Sequence, residues 1–259
     1  YAAQRILLAF VEPLLPKPIR QENFVIISQR ECVFDNSQAV QEDKSKKTNP
    51  AKYLWPKNSV LKVYFIENKP EINKKVLTMA SEWSPFSSIY FEETTNQNES
   101  QIRISYHGIA STVLGNLAAE RTLDGKFKHE KTMSLDGLHS LQDESLFRRI
   151  VLHEFGHALG LVHEHEQAEA RIPWDLVKVK YHFFNRFGWS LTKVFANVTQ
   201  PTVTTNLGFD KDSIMRFPIP SREVLAEGTL MEKWLQSGAN VVPVGLSAND
   251  KVVFSKLYK

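Results

Sequence analysis

The sequence predicts an α+β fold, in which a helix backs a twisted mixed sheet, mostly parallel, and a second helix carries a cluster of histidines. Two observations predict this arrangement. Short runs rich in β-branched and aromatic residues are typical of strands. Longer runs repeat their apolar residues every three or four positions, which is typical of helices. After the second helix the pattern is less regular, so we expect an irregular C-terminal subdomain.

The sequence of the first half of the main domain predicts a strand, a helix and two further strands, in that order. Residues 60–66 are rich in β-branched and aromatic side chains and predict the first strand. Apolar residues on one helical face predict a helix over 72–83. Residues 89–92 and 101–106 predict two further short strands. Residues 132–135 predict an edge strand.

Three helices are predicted beyond this sheet. Apolar residues recur at helical spacing over 145–161, and a further helix is expected over 174–184. The last helix follows Ser247, a helix-capping residue. Asp250 lies three positions later, where a capping box has Glu or Gln. The chain is therefore expected to close on a capped helix.

The composition is that of an ordinary globular protein, with 259 residues of which 42% are hydrophobic and 24% charged. It excludes collagen, coiled coil and wholesale disorder. The net charge of +3 gives no support to a nucleic acid partner, and no run approaches the roughly 20 apolar residues of a membrane span. We expect a monomer in which an N-terminal extension, 1–50, ends in a polar stretch before a main domain over 51–259.

Four of the eight histidines lie between His153 and His165. His153 and His157 are four positions apart, so a helix places them on one face with Cβ atoms about 5 to 6 Å apart. Two imidazoles at this distance can bind one metal ion. Glu154 lies about 100° round the helix from His153, near enough to hold a metal-bound water as the catalytic base without being a ligand itself.

The third ligand requires the helix to end. His163 is six positions after His157, so in a continuous helix it would face away from the metal. Gly160 removes this difficulty, because glycine accepts a positive φ and lets the chain turn back. We therefore predict that His153, His157 and His163 bind one Zn2+ ion with an open fourth position, the pattern of a catalytic site. Gly156, a poor residue for a helix interior, indicates a close backbone approach at the site rather than side-chain packing.

The motif that runs from His153 to Glu164 resembles that of the metzincin zinc endopeptidases. Within them it is similar to the astacin-like group, in which a glutamate directly follows the third histidine. Residues 53–56, Tyr-Leu-Trp-Pro, resemble the start of an astacin-type catalytic domain. Residues 212–217 resemble the Met-turn, which lies beneath the zinc in this clan, with Met215 as its methionine.

The pattern most resembles a bacterial type of astacin-like protein, in which His-Glu-His precedes Ile-Pro-Trp-Asp, as at 163–165 and 172–175. The resemblance covers about 51–259 and implies a metzincin-type catalytic domain. It implies a zinc-dependent endopeptidase that hydrolyses peptide bonds in protein substrates by a zinc-bound water activated by Glu154. Because the family is mostly secreted, it also implies a secreted or extracellular location, delivery to a host included.

Two departures from the family pattern are visible. Astacins carry a tyrosine two positions after the Met-turn methionine, as a switchable fifth zinc ligand, and here that position is Phe217, which has no oxygen. We therefore expect zinc held by three histidines and water, without the tyrosine-assisted step. Animal astacins also have two disulfides, whereas Cys32 is the single cysteine of this chain.

Several residues near the motif or in the extension leave alternatives open. In the resemblance Glu164 binds the buried amino terminus of the processed domain, and otherwise it is a solvated carboxylate. Cys32 could occupy the fourth zinc position and hold a zymogen latent, and Asp35 could do the same with a carboxylate. Otherwise Cys32 is a small buried side chain. His165 follows the motif on a loop and is expected at the surface.

The competing function is a zinc-containing binding or adhesion module of the same fold with little or no turnover. Phe217 and the unassigned extension favour it. Glu154 disfavours it, because a purely structural zinc site needs no catalytic base. A coincidental motif on another fold, with glutamate as third ligand, is disfavoured by the presence of both Gly160 and His163.

Overall fold

The computed structural model of the chain describes residues 53–108, 110–119, 131–199, 208–216, 219, 221–238 and 241–259. The predictions about Cys32, Asp35 and Phe217 lie outside the described residues, as does the N-terminal extension. The described residues divide into two compact units. The larger unit comprises those within 53–170, 208–216 and 241–259, and the smaller unit comprises those within 171–199, 219 and 221–238.

The larger unit contains a mixed sheet with five strands among its described residues. The strands are β1 (Val60–Phe65), β2 (Tyr90–Glu93), β3 (Ile102–Ser105), β4 (Ser111–Thr112) and β5 (Met133–Ser134). They lie in the order β2, β1, β3, β5, β4, and all neighbours are parallel except β4, which is antiparallel to β5. The predicted α+β class and the mostly parallel sheet are therefore confirmed.

The prediction of an edge strand over 132–135 is wrong in its position. β5 lies between β3 and β4, so among the described strands β4 is the edge at this end of the sheet and β2 is the edge at the other. The sequence does not indicate β4, because a strand of 2 residues is too short to show alternation. An extended ligand that pairs with this edge would therefore meet β4.

The helices of both units account for most of the remaining regular structure. The α-helices are α1 (Pro70–Ala80), α2 (Glu144–Ala158), α3 (Leu176–Phe187), α4 (Leu191–Val194), α5 (Ser221–Val224), α6 (Thr229–Gln236) and α7 (Ala248–Tyr258). A π-helical turn, Phe195–Thr199, follows α4. Short 3-10 helices are formed by Ser81–Phe86, Gln97–Glu99, Leu138–Ser140, Glu164–Glu166 and Ala168–Ala170.

The predicted helices are present, and their ends have local causes. α1 begins at Pro70, a residue suited to the first helical position because its missing N–H needs no partner there. The predicted capping box of α7 is confirmed. Ser247 Oγ accepts the backbone N–H of Asp250, and an Asp250 carboxylate oxygen accepts the backbone N–H of Ser247, each at 2.9 Å.

The core lies between the sheet and the helices α1 and α2. It includes Val63 and Ile104 of the sheet, Val76 of α1 and Leu152 of α2, all fully buried. Each such aliphatic side chain contributes about 1.5 to 3 kcal/mol when it is removed from water. Trp83 adds a polar contact, since its indole N–H donates to the Leu152 carbonyl at 3.1 Å. These contacts fix α2 beneath the sheet.

The smaller unit is built on α3 and α5. Asp175 caps α3 by accepting two backbone N–H groups of its first turn, and the helix ends at Gly188 with φ +66. His182 Nδ1 of α3 lies 2.7 Å from Glu223 Oε2 of α5. Across the described residues, none of the helices combines the length and apolar character required to span a membrane.

Candidate metal centre

The metal-binding segment is shaped by the way α2 ends. α2 stops at Ala158, and Gly160 has φ +89, which confirms the predicted turn at a positive φ. The last carbonyls of the helix need partners. Trp55 donates its indole N–H to Ala158 O, and Tyr258 donates its hydroxyl to Leu159 O, both at 2.7 Å. Trp55 belongs to the Tyr-Leu-Trp-Pro segment, so that segment anchors the end of the helix.

Three histidines meet where this turn brings the chain back. His153 and His157 lie on α2, and His163 lies after the turn; all three are buried. One ring nitrogen from each lies within 4.8 Å of the other two. The closest pair is His157 Nε2 and His163 Nε2, at 3.1 Å. The structure thus brings together the three side chains that the sequence predicted as ligands.

The outer nitrogens of the two helical imidazoles are held by backbone carbonyls. His153 Nδ1 donates to Ile214 O at 2.7 Å, and His157 Nδ1 donates to Leu161 O at 2.8 Å. Because a carbonyl can only accept, the ring proton is on Nδ1 and Nε2 keeps its lone pair. These carbonyl contacts orient the rings as outer partners of metal ligands do in known sites.

Burial keeps all three imidazoles neutral at neutral pH. It lowers the pKa of His157 to about 4. Burial, followed by the neighbouring histidines, also lowers the pKa of His153 and of His163 well below 6.5. Neutral imidazole is the form that binds a metal ion. The site therefore needs no loss of protons before it binds metal at pH 7.

Two observations show that a zinc ion fits between these rings. His153 Nε2 is buried and has no hydrogen-bond partner among the described residues. The second observation is the 3.1 Å contact between His157 Nε2 and His163 Nε2. His157 Nε2 presents a lone pair there, because His157 Nδ1 donates to Leu161 O. An all-imidazole donor set suits zinc.

Met215 lies directly beneath α2, as the resemblance to a Met-turn implies. A Cβ atom added at Gly156 would lie 2.2 Å from Met215 Sδ, closer than the two atoms can approach. This close contact accounts for a glycine in the helix interior, and the neighbour is a packed side chain rather than the backbone approach that the sequence predicted. The turn itself is held by α7, because Asp250 accepts the Ser213 hydroxyl at 2.7 Å and the Ile214 N–H at 2.9 Å.

The expectation that His165 lies at the surface is wrong. His165 is 5% exposed, because the 3-10 turn Glu164–Glu166 folds it inward, and its ring centroid lies 5.0 Å from that of His163. The same turn places Glu166 Oε1 3.4 Å from His163 Nδ1. A carboxylate there favours the Nδ1 proton and leaves Nε2 of His163 facing the other two rings. Sequence spacing gave no signal for this contact.

Glu154 is buried beside the three rings, with 1% of its surface exposed. Its carboxylate oxygen Oε2 accepts the Thr112 hydroxyl at 2.5 Å. Thr112 comes from β4 and was not identified from the sequence, because the contact joins residues 42 positions apart.

Glu164 points into a separate cavity of about 150 Å³. Its Oε1 accepts the Asp210 N–H at 2.7 Å, and Asp250 also lines the cavity. Burial, opposed by the Asp210 hydrogen bond and reinforced by the charges of Asp210 and Asp250, raises the pKa of Glu164 to about 8. Glu164 is therefore not the solvated carboxylate of the second interpretation that the sequence allowed.

A mixed sheet above a helix whose histidines converge with one from the following turn defines a zinc metalloprotease domain. The sequence model of the Astacin peptidase family matches residues 47–259. The chain therefore belongs to the astacin family of zinc endopeptidases, and its cofactor is zinc. Comparison with curated proteins finds no match.

Solved structures of the same fold support this membership. A structure of myroilysin is 30% identical to this chain with a TM-score of 0.65, and the match covers 80% of this chain and 96% of the myroilysin chain. A crystal structure of myroilysin is 25% identical with a TM-score of 0.64, covering 94% and 99%. High choriolytic enzyme 1, a hatching enzyme zinc-protease from Oryzias latipes (Medaka fish), shares the fold at 17% identity and a TM-score of 0.53, covering 82% and 98%.

Proposed function

We propose that His153, His157 and His163 are the ligands of the catalytic zinc and that Glu154 is the general base for peptide-bond hydrolysis. The observation that carries the proposal is the orientation of the rings. Backbone carbonyls accept the Nδ1 protons of His153 and His157, a Glu166 carboxylate oxygen lies 3.4 Å from Nδ1 of His163, and one nitrogen of each ring lies within 4.8 Å of the other two. This arrangement leaves a fourth position for a water molecule and the substrate carbonyl.

When bound, zinc lowers the pKa of a coordinated water and polarises the scissile carbonyl. The protein supplies the proton transfers. Glu154 takes a proton from the attacking water and passes it to the nitrogen of the leaving amine as the C–N bond breaks. The water oxygen becomes part of the new carboxyl group, whose remaining proton passes to the released amine, so a carboxylate and an ammonium group form without a covalent enzyme intermediate. An extended substrate would pair through its backbone with β4, at the edge of the sheet.

Hydrolysis of casein tests this function against the alternative of an adhesion module, which neither the family match nor the site supports. We expect hydrolysis by the full chain after limited proteolysis of its extension, and loss of hydrolysis when 1,10-phenanthroline removes the zinc. One equivalent of zinc should restore it. Hydrolysis at an unchanged rate in zinc-free protein would contradict a zinc mechanism, and failure of the zinc-loaded protein to cleave any peptide would favour adhesion.

We also propose that residues 1–50 are an inhibitory segment of a zymogen. One myroilysin structure aligns with 94% of this chain, which is more than the roughly four-fifths that residues 51–259 represent, so part of the extension is shared with it. A thiolate or a carboxylate from the extension could fill the fourth zinc position. The division at Pro50 and the roles of Cys32 and Asp35 stay predictions.

Two single variants of the full chain distinguish the two candidate caps. If Cys32 caps the zinc, Cys32→Ala raises the activity of the unprocessed chain by about 10-fold or more, while Asp35→Ala leaves it latent. The opposite result assigns the cap to Asp35. The proposal fails if removal of residues 1–50 leaves peptidase activity unchanged in a protein that is still folded, as judged by circular dichroism.

Processing of the extension gives a role to the cavity at Glu164. Its carboxyl groups belong to Glu164, Asp210 and Asp250, which together suit an ammonium group. We propose that the new amino terminus of the processed domain enters this cavity. Tyr53 is close, because its carbonyl oxygen would lie 3.0 Å from a Cβ atom at Gly160, which lines the cavity.

We further propose that the enzyme is a monomer. We also propose that it acts outside the cell that makes it, as the family resemblance implies.

A further inference from the structure

A buried hydroxyl on the edge strand contacts the proposed general base. Thr112 Oγ1 donates to Glu154 Oε2 at 2.5 Å, and the two residues are 2% and 1% exposed. A hydrogen bond to a carboxylate is stronger than one between neutral groups, and exclusion of water strengthens it further. The contact therefore constrains the carboxylate more than a surface hydroxyl could.

The sheet determines where this hydroxyl lies. Thr112 pairs with Met133 of β5, and the next residue, Val113, donates its N–H to Thr132 O at 2.8 Å. The backbone on both sides of the Thr112 side chain is thus held in register with β5. The donor residue is held by the pairing of β4 with β5, while only the backbone of the acceptor residue is held by α2.

Glu154 benefits from a fixed partner because the helix does not fix its carboxylate. The last torsion of a glutamate side chain has a broad distribution, so the two oxygens rotate unless something restrains them. A general base needs an oxygen within about 2.6 to 3.2 Å of the group whose proton it takes. A hydrogen bond to Oε2 restricts that rotation and sets the direction of Oε1.

We propose that Thr112 is a positioning residue for peptide hydrolysis: its hydroxyl fixes the rotation of the Glu154 carboxylate and ties the base to the strand on which the substrate lies. The inference rests on the proposed function of Glu154. Among the described strands β4 is also at an edge of the sheet, so a peptide that pairs with β4 would be aligned by the strand that holds the partner of the base.

The test compares Thr112→Val, which removes the hydroxyl and keeps the branched shape, with Thr112→Ser, which keeps the hydroxyl. We expect the valine variant to lower kcat by about 10-fold to 100-fold, since small misplacements of a reacting group cost up to that much. KM and zinc content should stay near those of the parent protein. Its affinity for a phosphinic peptide, a tetrahedral analogue that faces the base, should weaken by a similar factor. The serine variant should recover most of kcat.

Thr132→Val is the matched control, because Thr132 is a buried threonine just before β5 whose hydroxyl accepts the Arg103 N–H, and the substitution keeps the backbone carbonyl that accepts the Val113 N–H. It should lower the melting temperature and keep kcat. If Thr112→Val does not fold, Thr112→Ala against Thr112→Ser gives the same comparison. A kcat equal to that of the parent without the hydroxyl, or equal losses with and without it, overturns the inference. If Glu154→Gln remains fully active, the proposed function falls as well.

Discussion

We expect Glu154→Gln to slow peptide hydrolysis severely and to leave zinc bound. Glutamine has nearly the same size and can still accept the Thr112 hydroxyl through its carbonyl oxygen, so the packing around a residue with 1% exposure is retained. It cannot take a proton from the attacking water. A general base contributes about 10²-fold to 10⁴-fold to the rate, and we expect kcat/KM to fall by that factor. Casein hydrolysis and zinc content after dialysis are the two measurements.

Glu144→Gln is the matched control for this substitution. Glu144 is on the same helix and pairs with Lys75 at 2.5 Å, but its side chain is 70% exposed and remote from the histidines in sequence. We expect this variant to hydrolyse casein at the rate of the parent protein. A Glu154→Gln protein that keeps the full rate with zinc bound would show that another group takes the proton. Loss of zinc from it would show that Glu154 contributes to metal binding.

The sequence could predict the ligand cluster because its geometry is local. An α-helix converts an interval of four residues into one face, which places His153 above His157. A glycine marks the position where that conversion stops, and Gly160 does have a positive φ. The same local rules predicted the capping box at Ser247. Each of these features depends on residues only a few positions apart, so a pattern in the sequence carries it.

The remaining parts of the site could not be predicted, because they depend on contacts across long intervals. The carbonyl that orients His153 belongs to Ile214, 61 positions away, and Thr112 reaches Glu154 over 42. Asp250 has two roles, of which only the capping one is local; the other is its pair of hydrogen bonds to Ser213 and Ile214. Tertiary packing decides such contacts, and helical or strand periodicity contains no information about them.

The position of β4 was missed for a related reason. The strand has only 2 residues, and it is held by its antiparallel pairing with β5 rather than by a hydrophobic pattern of its own. The prediction that His165 is exposed is wrong for a similar reason. A polar residue after a motif is usually exposed, whereas here a 3-10 turn buries His165 against His163. In both cases, neighbours in space outweigh local preference.

His163→Ala removes zinc, while His165→Ala keeps it. Both histidines are buried, at 2% and 5% exposure, and they are two positions apart in one turn, so the pair separates ligation from packing. Only the nitrogen of His163 converges with those of His153 and His157 within 4.8 Å. The loss of a residue that only orients a metal ligand lowers metal affinity by roughly 10-fold to 100-fold. The zinc affinity of His163→Ala, measured by competition with a fluorescent chelator, should fall by much more than that. Casein hydrolysis should be lost with it.

His165→Ala provides the stringent half of the comparison, because a second group of potential ligands is formed by His163, His165 and Glu166. If that group held the catalytic zinc, the loss of His165 would be as damaging as the loss of His163, and His153→Ala would retain the metal. In the arrangement that we propose, His165→Ala costs only packing, seen as a lower melting temperature, and His153→Ala behaves like His163→Ala. Glu166 faces Nδ1 of His163, so the zinc affinity of Glu166→Gln should lie between those of His165→Ala and His163→Ala. We expect this variant to bind zinc about 10-fold to 100-fold more weakly than the parent protein.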